Sequence, residues 1–352
     1  MHPTPLSLTA RTLYAELREV ALAIGATENV GQAPGAVVLK TVRGHRYLYF
    51  QYRDLDGRTK QAYLGPDDAA TRGLADRVKQ HTGDRASDLR HLDELRAAFV
   101  GAGGFATEHA PLRVLKAFAD AGILKLGQGN AVLVGTHAFN ALGNLLGVRW
   151  ASQMRTHDID LAGEADVHIA VSHDHPAAPD VLTQLGMGFI PVPALDSRSP
   201  STSFRVRGRE LRVDLLTPLV GKPTDKPAFI AALNAPAQPM RFLDYLLKEP
   251  IPAVIVGRKA SVLVNVPLPE RFAFHKLLVS ESRPAAFATK AEKDRMQAVQ
   301  LLQVLIEEAP DGLKQAKTDL VERGKAWRDK LARASKKSQK LAPDAMKYVA
   351  EL

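Results

Sequence analysis

The sequence predicts an α/β protein. It has a mixed-sheet core, an N-terminal module of β-meander and helices ahead of it, and a helical domain after it. Three observations carry that prediction. Short runs such as Asp158-Ile159-Asp160-Leu161 alternate polar with apolar residues, which is the period of a strand. Between those runs lie stretches of helical period, bounded by Gly, Thr and Pro. After Pro269 the strand pattern stops and the remaining chain reads as helix.

Taken in order, residues 5–24 form a helix with Leu13, Leu17, Val20, Ala21 and Ile24 as its apolar positions. Residues 35–66 read as a β-meander with turns at Arg43-Gly44 and Asp56-Gly57. Arg46, Tyr47, Tyr49, Arg53, Arg58 and Lys60 make that meander basic and aromatic. Two helices follow, over 67–81 and 86–101, and the break Gly101 to Gly104 ends a first domain, 1–104.

The pattern then turns to α/β. A helix over 111–121 leads to a short apolar strand ending at Gly135-Thr136, and Thr136 is the expected N-cap of the next helix. The strand with Asp158 and Asp160 comes next, then an alternating stretch over 166–172 and a helix over 178–186. Residues 202–208 and 209–218 make a hairpin about Gly208. In its second strand Arg212 and Asp214 face one way, and Leu211, Val213 and Leu215 the other. Strands over 252–257 and 260–266 close a central domain, 105–267. Helices over 269–281 and 290–308 and a long basic tail from 313 make up a third domain, 268–352. Within the tail, residues 333–340 read as polar and mobile.

At 352 residues the chain is long enough for two or three domains. It has no cysteine, which excludes disulfides and thiolate metal sites and fits a reducing compartment. No basic segment followed by an apolar core opens the chain. The most apolar long stretch, 130–148, is interrupted by His, Asn and Thr, so a cytoplasmic protein without a membrane partner is expected. The formal net charge of +9 favours a polyanionic partner such as nucleic acid.

The chemistry concentrates in three places. Asp158 and Asp160 lie two strand steps apart on one face, about 6.6 Å, so both carboxylates can converge on one small object. Like charges that close call for a cation, and a divalent one suits oxygen ligands. Asp214, on a later strand, is a third carboxylate for the same ion. Gly135 lets backbone approach a phosphate, the helix it opens offers free N–H groups, and Thr136 adds a hydroxyl.

This ordered set resembles the nucleotidyltransferase superfamily with the DNA-polymerase-β-like fold. Its pattern is a Gly-Gly or Gly-Ser helix start, then Asp-x-Asp or Asp-x-Glu, then a carboxylate on a nearby strand. Gly135-Thr136, Asp158-Ile159-Asp160 and Asp214 stand in those places. The likeness is closer to the bacterial AbiEii/MenT-like and related branch. There a basic residue and Thr or Ser precede the first Asp, as Arg155 and Thr156 do here. A downstream helix lysine and a later Asp match Lys276 and the Lys293-Asp294 pair. The likeness spans residues 130–300. Thr136 departs from the commoner Gly or Ser, and the gap from Gly135 to Asp158 is longer than in compact members.

The resemblance implies an α/β (α+β) nucleotidyltransferase core that takes an NTP with Mg²⁺ or Mn²⁺. Asp158, Asp160 and Asp214 would be metal ligands, and the catalytic set would be these three with Lys276 and Asp294. Gly135, Thr136, Arg155, Lys276 and Arg283 would bind the nucleotide. The acceptor would be RNA, another nucleic acid or a protein, in a toxin–antitoxin or defence setting with a cognate antitoxin as partner.

Two rival readings stand beside this. The chain would instead be a nucleic-acid-binding or regulatory protein that keeps the fold without turnover, with the basic meander as its working surface. Asp-x-Asp also marks nucleotide-sugar glycosyltransferases, but those have a nucleotide-binding α/β region ahead of it rather than a meander and a Gly-Thr helix start. His168, His173 and His175 lie close in sequence, as zinc ligands do, yet Pro176 makes a surface loop the better reading.

Overall fold

The N-terminal helices are built onto the central sheet. The computed structural model describes the chain except residues 1, 29–34, 43–44, 54–58, 68, 125–129, 152–155, 165–174, 195 and 197. A short strand β1 (Thr4–Pro5) leads into α1 (Leu8–Glu28), the meander β2 (Gly35–Val42), β3 (His45–Arg53) and β4 (Thr59–Pro66), and then α2 (Ala69–Gly101). The meander pairs antiparallel in the order β2-β3-β4, as expected, while both of its expected turns lie outside the described residues.

Where two helices were expected over 67–101 there is one. Its interior Gly83 costs a helix only about 1 kcal/mol, which is too little to break it. Ala10, Tyr14 and Leu17 of α1 pack with Leu95 and Phe99 of α2 and with Val254 and Val256 of the sheet. The buried Tyr14 hydroxyl donates to the Val254 carbonyl (3.2 Å) and accepts from the Val254 N–H (3.1 Å), which ties α1 to that strand.

Then come α3 (His109–Asp120), β5 (Val132–Val134), α4 (Gly135–Leu145), β6 (Val148–Arg149), β7 (Asp158–Ala162), α5 (Ala178–Gln184), β8 (Phe189–Pro191), β9 (Ser203–Val206) and β10 (Arg212–Pro218). They are followed by β11 (Ala228–Ile230), β12 (Ala235–Met240), α6 (Leu243–Leu246), β13 (Ile251–Val256) and β14 (Ser261–Val266). Among the described residues the main sheet runs β11-β12-β10-β7-β5-β14-β13, with β9 on the free half of β10 and β8 beyond it. It is mixed, as predicted: β10 runs parallel to β7 and β12, and β5 antiparallel to β7. The expected strand over 166–172 lies outside the described residues.

The rest is helical: α7 (Pro269–Ser282), α8 (Ala288–Glu308), α9 (Pro310–Glu322), α10 (Lys325–Ser338) and α11 (Pro343–Glu351). The stretch expected to be mobile is mostly the end of α10. Leu331, Ala334 and Ser338 recur along that helix and are buried, while Lys336 and Lys337 are exposed, so a polar composition hid a packed face. Among the described residues no helix is long and apolar enough to cross a membrane.

Candidate active site

The centre of the site is one line of residues across three strands. Asp160 of β7 lies between Val134, the last residue of β5, and Asp214 of β10, each directly opposite it in register. Strands lie about 4.8 Å apart, and residues at the same register of parallel neighbours share a face, so Asp160 and Asp214 present their carboxylates side by side. Asp158 is on that face two residues earlier, opposite Arg212. The alternation that puts these groups on one side sends Ile159, Leu161, Val213 and Leu215 into the core, where each is fully buried.

The strand-to-helix turn beside them is made by a single residue. Gly135 takes φ +68°, and a Cβ there would lie 2.0 Å from Asp160 Oδ2, so only glycine lets α4 start against that carboxylate. The N-cap is Val134, extended and without a side-chain cap, rather than the expected Thr136. Because the glycine makes the whole turn, Thr136 falls inside the first helical turn, where it is buried.

The charges on this face are unbalanced. Burial, and next the Asp214 carboxylate, push the Asp160 carboxyl up to about 6, against the opposing pull of Lys276 and Arg212. Asp214 is engaged by Arg212, whose Nε donates to Asp214 Oδ1 (2.9 Å) and to Ser203 Oγ (2.9 Å). Thr156 Oγ1 accepts the Asp158 N–H at 3.2 Å.

A second charged group comes from the C-terminal helices. Asp294 of α8 is buried and accepts from Lys276 Nζ (2.9 Å) and from Arg283 Nε. Burial alone would raise its carboxyl, but Lys276 and Arg283 outweigh burial and hold it below the usual carboxylate range. Lys276 also lies 5.3 Å from the Phe272 ring centroid and within electrostatic reach of Asp160. The structure therefore brings Lys276, Arg283 and Asp294 together as an ion-paired group next to the strand carboxylates. Arg155 lies outside the described residues, as do His168 and His173. His175 is in a loop, with Nδ1 on the Pro176 carbonyl (3.0 Å).

One cation was seen in sequence only as the residue ahead of Asp294. Lys293 is half-buried and within electrostatic reach of Asp158 and Asp160. Burial, and next the charge of Lys276, lower its pKa, while the carboxylates raise it. It makes no ion pair of its own among the described residues. The resemblance marks it only as the basic residue before Asp294, and its approach to the carboxylates was not legible because which face of α8 meets β7 is set by packing between distant elements.

Among the described residues no three acidic or histidine side chains are close enough to enclose a metal ion by themselves. The donors nonetheless suit Mg²⁺. They are carboxylate oxygens on one face with an excess of negative charge, and Mg²⁺ is commonly held by one or two carboxylates, with substrate phosphates and water completing its shell.

The fold and this site define a nucleotide-handling class, and comparison with known proteins agrees. A family model described as nucleotidyltransferase matches residues 109–322, from α3 to the end of α9, and the chain belongs to that family. No curated protein and no solved structure matches it.

Proposed function

We propose that the protein is a metal-dependent nucleotidyltransferase that moves a nucleoside monophosphate from an NTP to an acceptor hydroxyl on RNA. The observation that carries this is the register line Val134–Asp160–Asp214, with Gly135 turning into α4 against Asp160. It brings the start of α4, which on this reading would receive phosphate, against the carboxylates that would hold the metal. A bound Mg²⁺ or Mn²⁺ would neutralise phosphate charge and polarise the α-phosphate.

The protein's own groups divide the remaining work. Asp158, Asp160 and Asp214 are the carboxylates for the cation, which one or two of them would hold at a time with phosphate oxygens and water completing its shell. The first turn of α4, from Gly135 and Thr136, receives phosphate oxygens on its free N–H groups. Lys276 and Lys293 stabilise charge on the triphosphate, and Arg155 and Arg283 are further triphosphate contacts. The acceptor oxygen bonds to the α-phosphorus, the α–β bridging bond breaks, and pyrophosphate leaves. Asp214 orients the acceptor hydroxyl and takes its proton. Asp294 acts through Lys276 and Arg283 as a positioning residue, since its carboxylate is occupied by them.

The net charge of +9 supports a nucleic-acid acceptor, and the resemblance supports a toxin–antitoxin or defence setting in the AbiEii/MenT-like branch, with a cognate antitoxin and a cytoplasmic location. The test is incubation with each radiolabelled NTP, Mg²⁺ or Mn²⁺, and total RNA. Labelled RNA is the expected product. A mobility shift without labelling under any metal would overturn the enzyme reading in favour of a nucleic-acid-binding protein.

A further inference from the structure

Beside the carboxylate cleft is a cavity of about 510 Å³. That is within the range of pockets that take a nucleotide-sized ligand. Its walls come from the segment after α2, from α4 and from the β13–β14 turn, and include Thr107, His137, Asn140, Thr156, Arg258 and Lys259. None of the lining residues belongs to α7 or α8, the helices that supply Lys276, Arg283 and Lys293. Two lining residues lie close in the chain to the cleft: His137 is two residues after Gly135, and Thr156 two before Asp158.

The walls are fixed by buried contacts. Asn144 of α4 holds Phe105 from both sides, donating to its carbonyl (3.0 Å) and accepting its N–H (3.1 Å). The Thr107 N–H donates to the Val256 carbonyl at 2.7 Å. Arg96, buried in α2, donates to the carbonyls of Gly257 and Arg258 and so braces the turn that carries the two cations. Gly257 packs so tightly that a Cβ would meet Leu112 at 2.3 Å.

Two features of the lining call for a ligand. His137 is 3 % exposed, and neither of its ring nitrogens has a hydrogen-bond partner. A buried imidazole left unsatisfied is costly, and a ligand's polar edge would relieve it. At the rim, Arg258 and Lys259 are exposed and have no ion-pair partner among the described residues. Among the described residues Glu108 is the one acidic lining residue, and it is paired with His157 (3.1 Å).

We infer that this cavity is the acceptor subsite and holds the terminal nucleotide of a single-stranded nucleic acid, its base edge on His137 and its phosphates on Arg258 and Lys259. The strand end would then reach the cleft past Thr156, from a cavity to whose lining neither α7 nor α8 contributes. This rests on the nucleotidyl-transfer reading only for the word acceptor, because the recognition chemistry is independent of turnover.

The test is therefore a binding measurement on the full chain without NTP, in EDTA, using a fluorescent RNA pentamer with a free 3′-hydroxyl. The double variant R258E/K259E should weaken binding at least tenfold and lower the salt slope by about 1.4, two phosphate contacts at about 0.7 each. The variant His137→Phe should weaken it severalfold and leave the slope unchanged. NTP binding, measured separately, should be unaltered in R258E/K259E. Loss of NTP binding with normal pentamer affinity would overturn the proposal and make the cavity the donor's base pocket. Unchanged affinity for both would overturn it as well, and would leave a protein acceptor as the alternative. Because R258E/K259E changes exposed side chains only, its result stands even if His137→Phe fails to fold. Failure here with labelled RNA in the transfer assay would refute the subsite and leave the activity intact.

Discussion

Two aspartates in this protein, Asp294 buried and Asp160 half-buried, are treated in opposite ways. Asp294 sits between Lys276 and Arg283, and the two cations hold its carboxyl below the ordinary range. Asp160 sits against Gly135 and beside Asp214, and burial with like charge raises its carboxyl to about 6. The first arrangement is complete within the chain, and removing Asp294 leaves two partly buried cations without their counter-ion. The second is incomplete: Asp160 has no ion pair among the described residues, and Lys276 and Arg212, the cations that pull on it, are engaged by Asp294 and Asp214. Structural ion pairs perturb pKa values as binding sites do, so the direction of the perturbation, and what would relieve it, separates the two.

The largest effect that would sharpen the contrast is on activity. Asp160→Asn should reduce nucleotide transfer roughly 10³-fold or more, the several kcal/mol a metal ligand is worth. Its fold should persist, and the thermal upshift that Mg²⁺ gives the parent at pH 8 should vanish. Near-normal transfer by the purified variant would move the site away from Asp160.

At Asp294 the effect should be on stability first. Asp294→Ala leaves Lys276 and Arg283 without their counter-ion, and urea denaturation should show a loss of about 3–5 kcal/mol. A loss under 1 kcal/mol would mean that solvent already satisfies those cations. The same pairing means that Lys276→Ala should cost stability as well as NTP use, because Lys276 is only 12 % exposed.

Acid should reveal a third kind of buried titratable group, two histidines held neutral. Burial lowers His137 to about 4, with His157 and Lys293 adding to the effect. Burial lowers His275 to about 3, with Lys276 and Arg283 lowering it further and Asp294 opposing. Both are neutral in the folded chain, while unfolded imidazoles take up protons below about pH 6.5. The unfolded state then binds more protons, so the stability these residues allow at neutral pH is lost as pH falls from about 6.5 toward 4. The slope is up to about 1.4 kcal/mol per pH unit for each histidine. Urea midpoints between pH 7 and 5 measure it, and His275→Gln should flatten the profile. An unchanged profile would show that His275 is not buried in solution.

The smallest effect should come from Lys293→Met. If Lys293 touches the triphosphate, kcat/KM for NTP should fall about tenfold, close to 1.4 kcal/mol, with little change in melting temperature. Equal kinetics would return it to the group of structural lysines around Asp294.

What the sequence by itself determined is local. The alternation in Asp158-Ile159-Asp160-Leu161 and in Arg212-Val213-Asp214-Leu215 decides which residues face the cleft, because a strand's period of two needs no knowledge of its neighbours. The order of glycine, paired aspartates and third aspartate was readable for the same reason, and it led to the family that residues 109–322 match. Other facts depended on contacts between distant segments. Register put Asp214 directly beside Asp160. Close approach made Gly135 the whole turn and moved Thr136 from cap to helix interior. Helix packing brought Lys293 toward the carboxylates, paired Lys276 with Asp294, and left the imidazole of His137 lining a cavity. Periodicity says which way a side chain points from its own element. Only the packed structure decides what it meets there, since that depends on the offset between elements far apart in the chain.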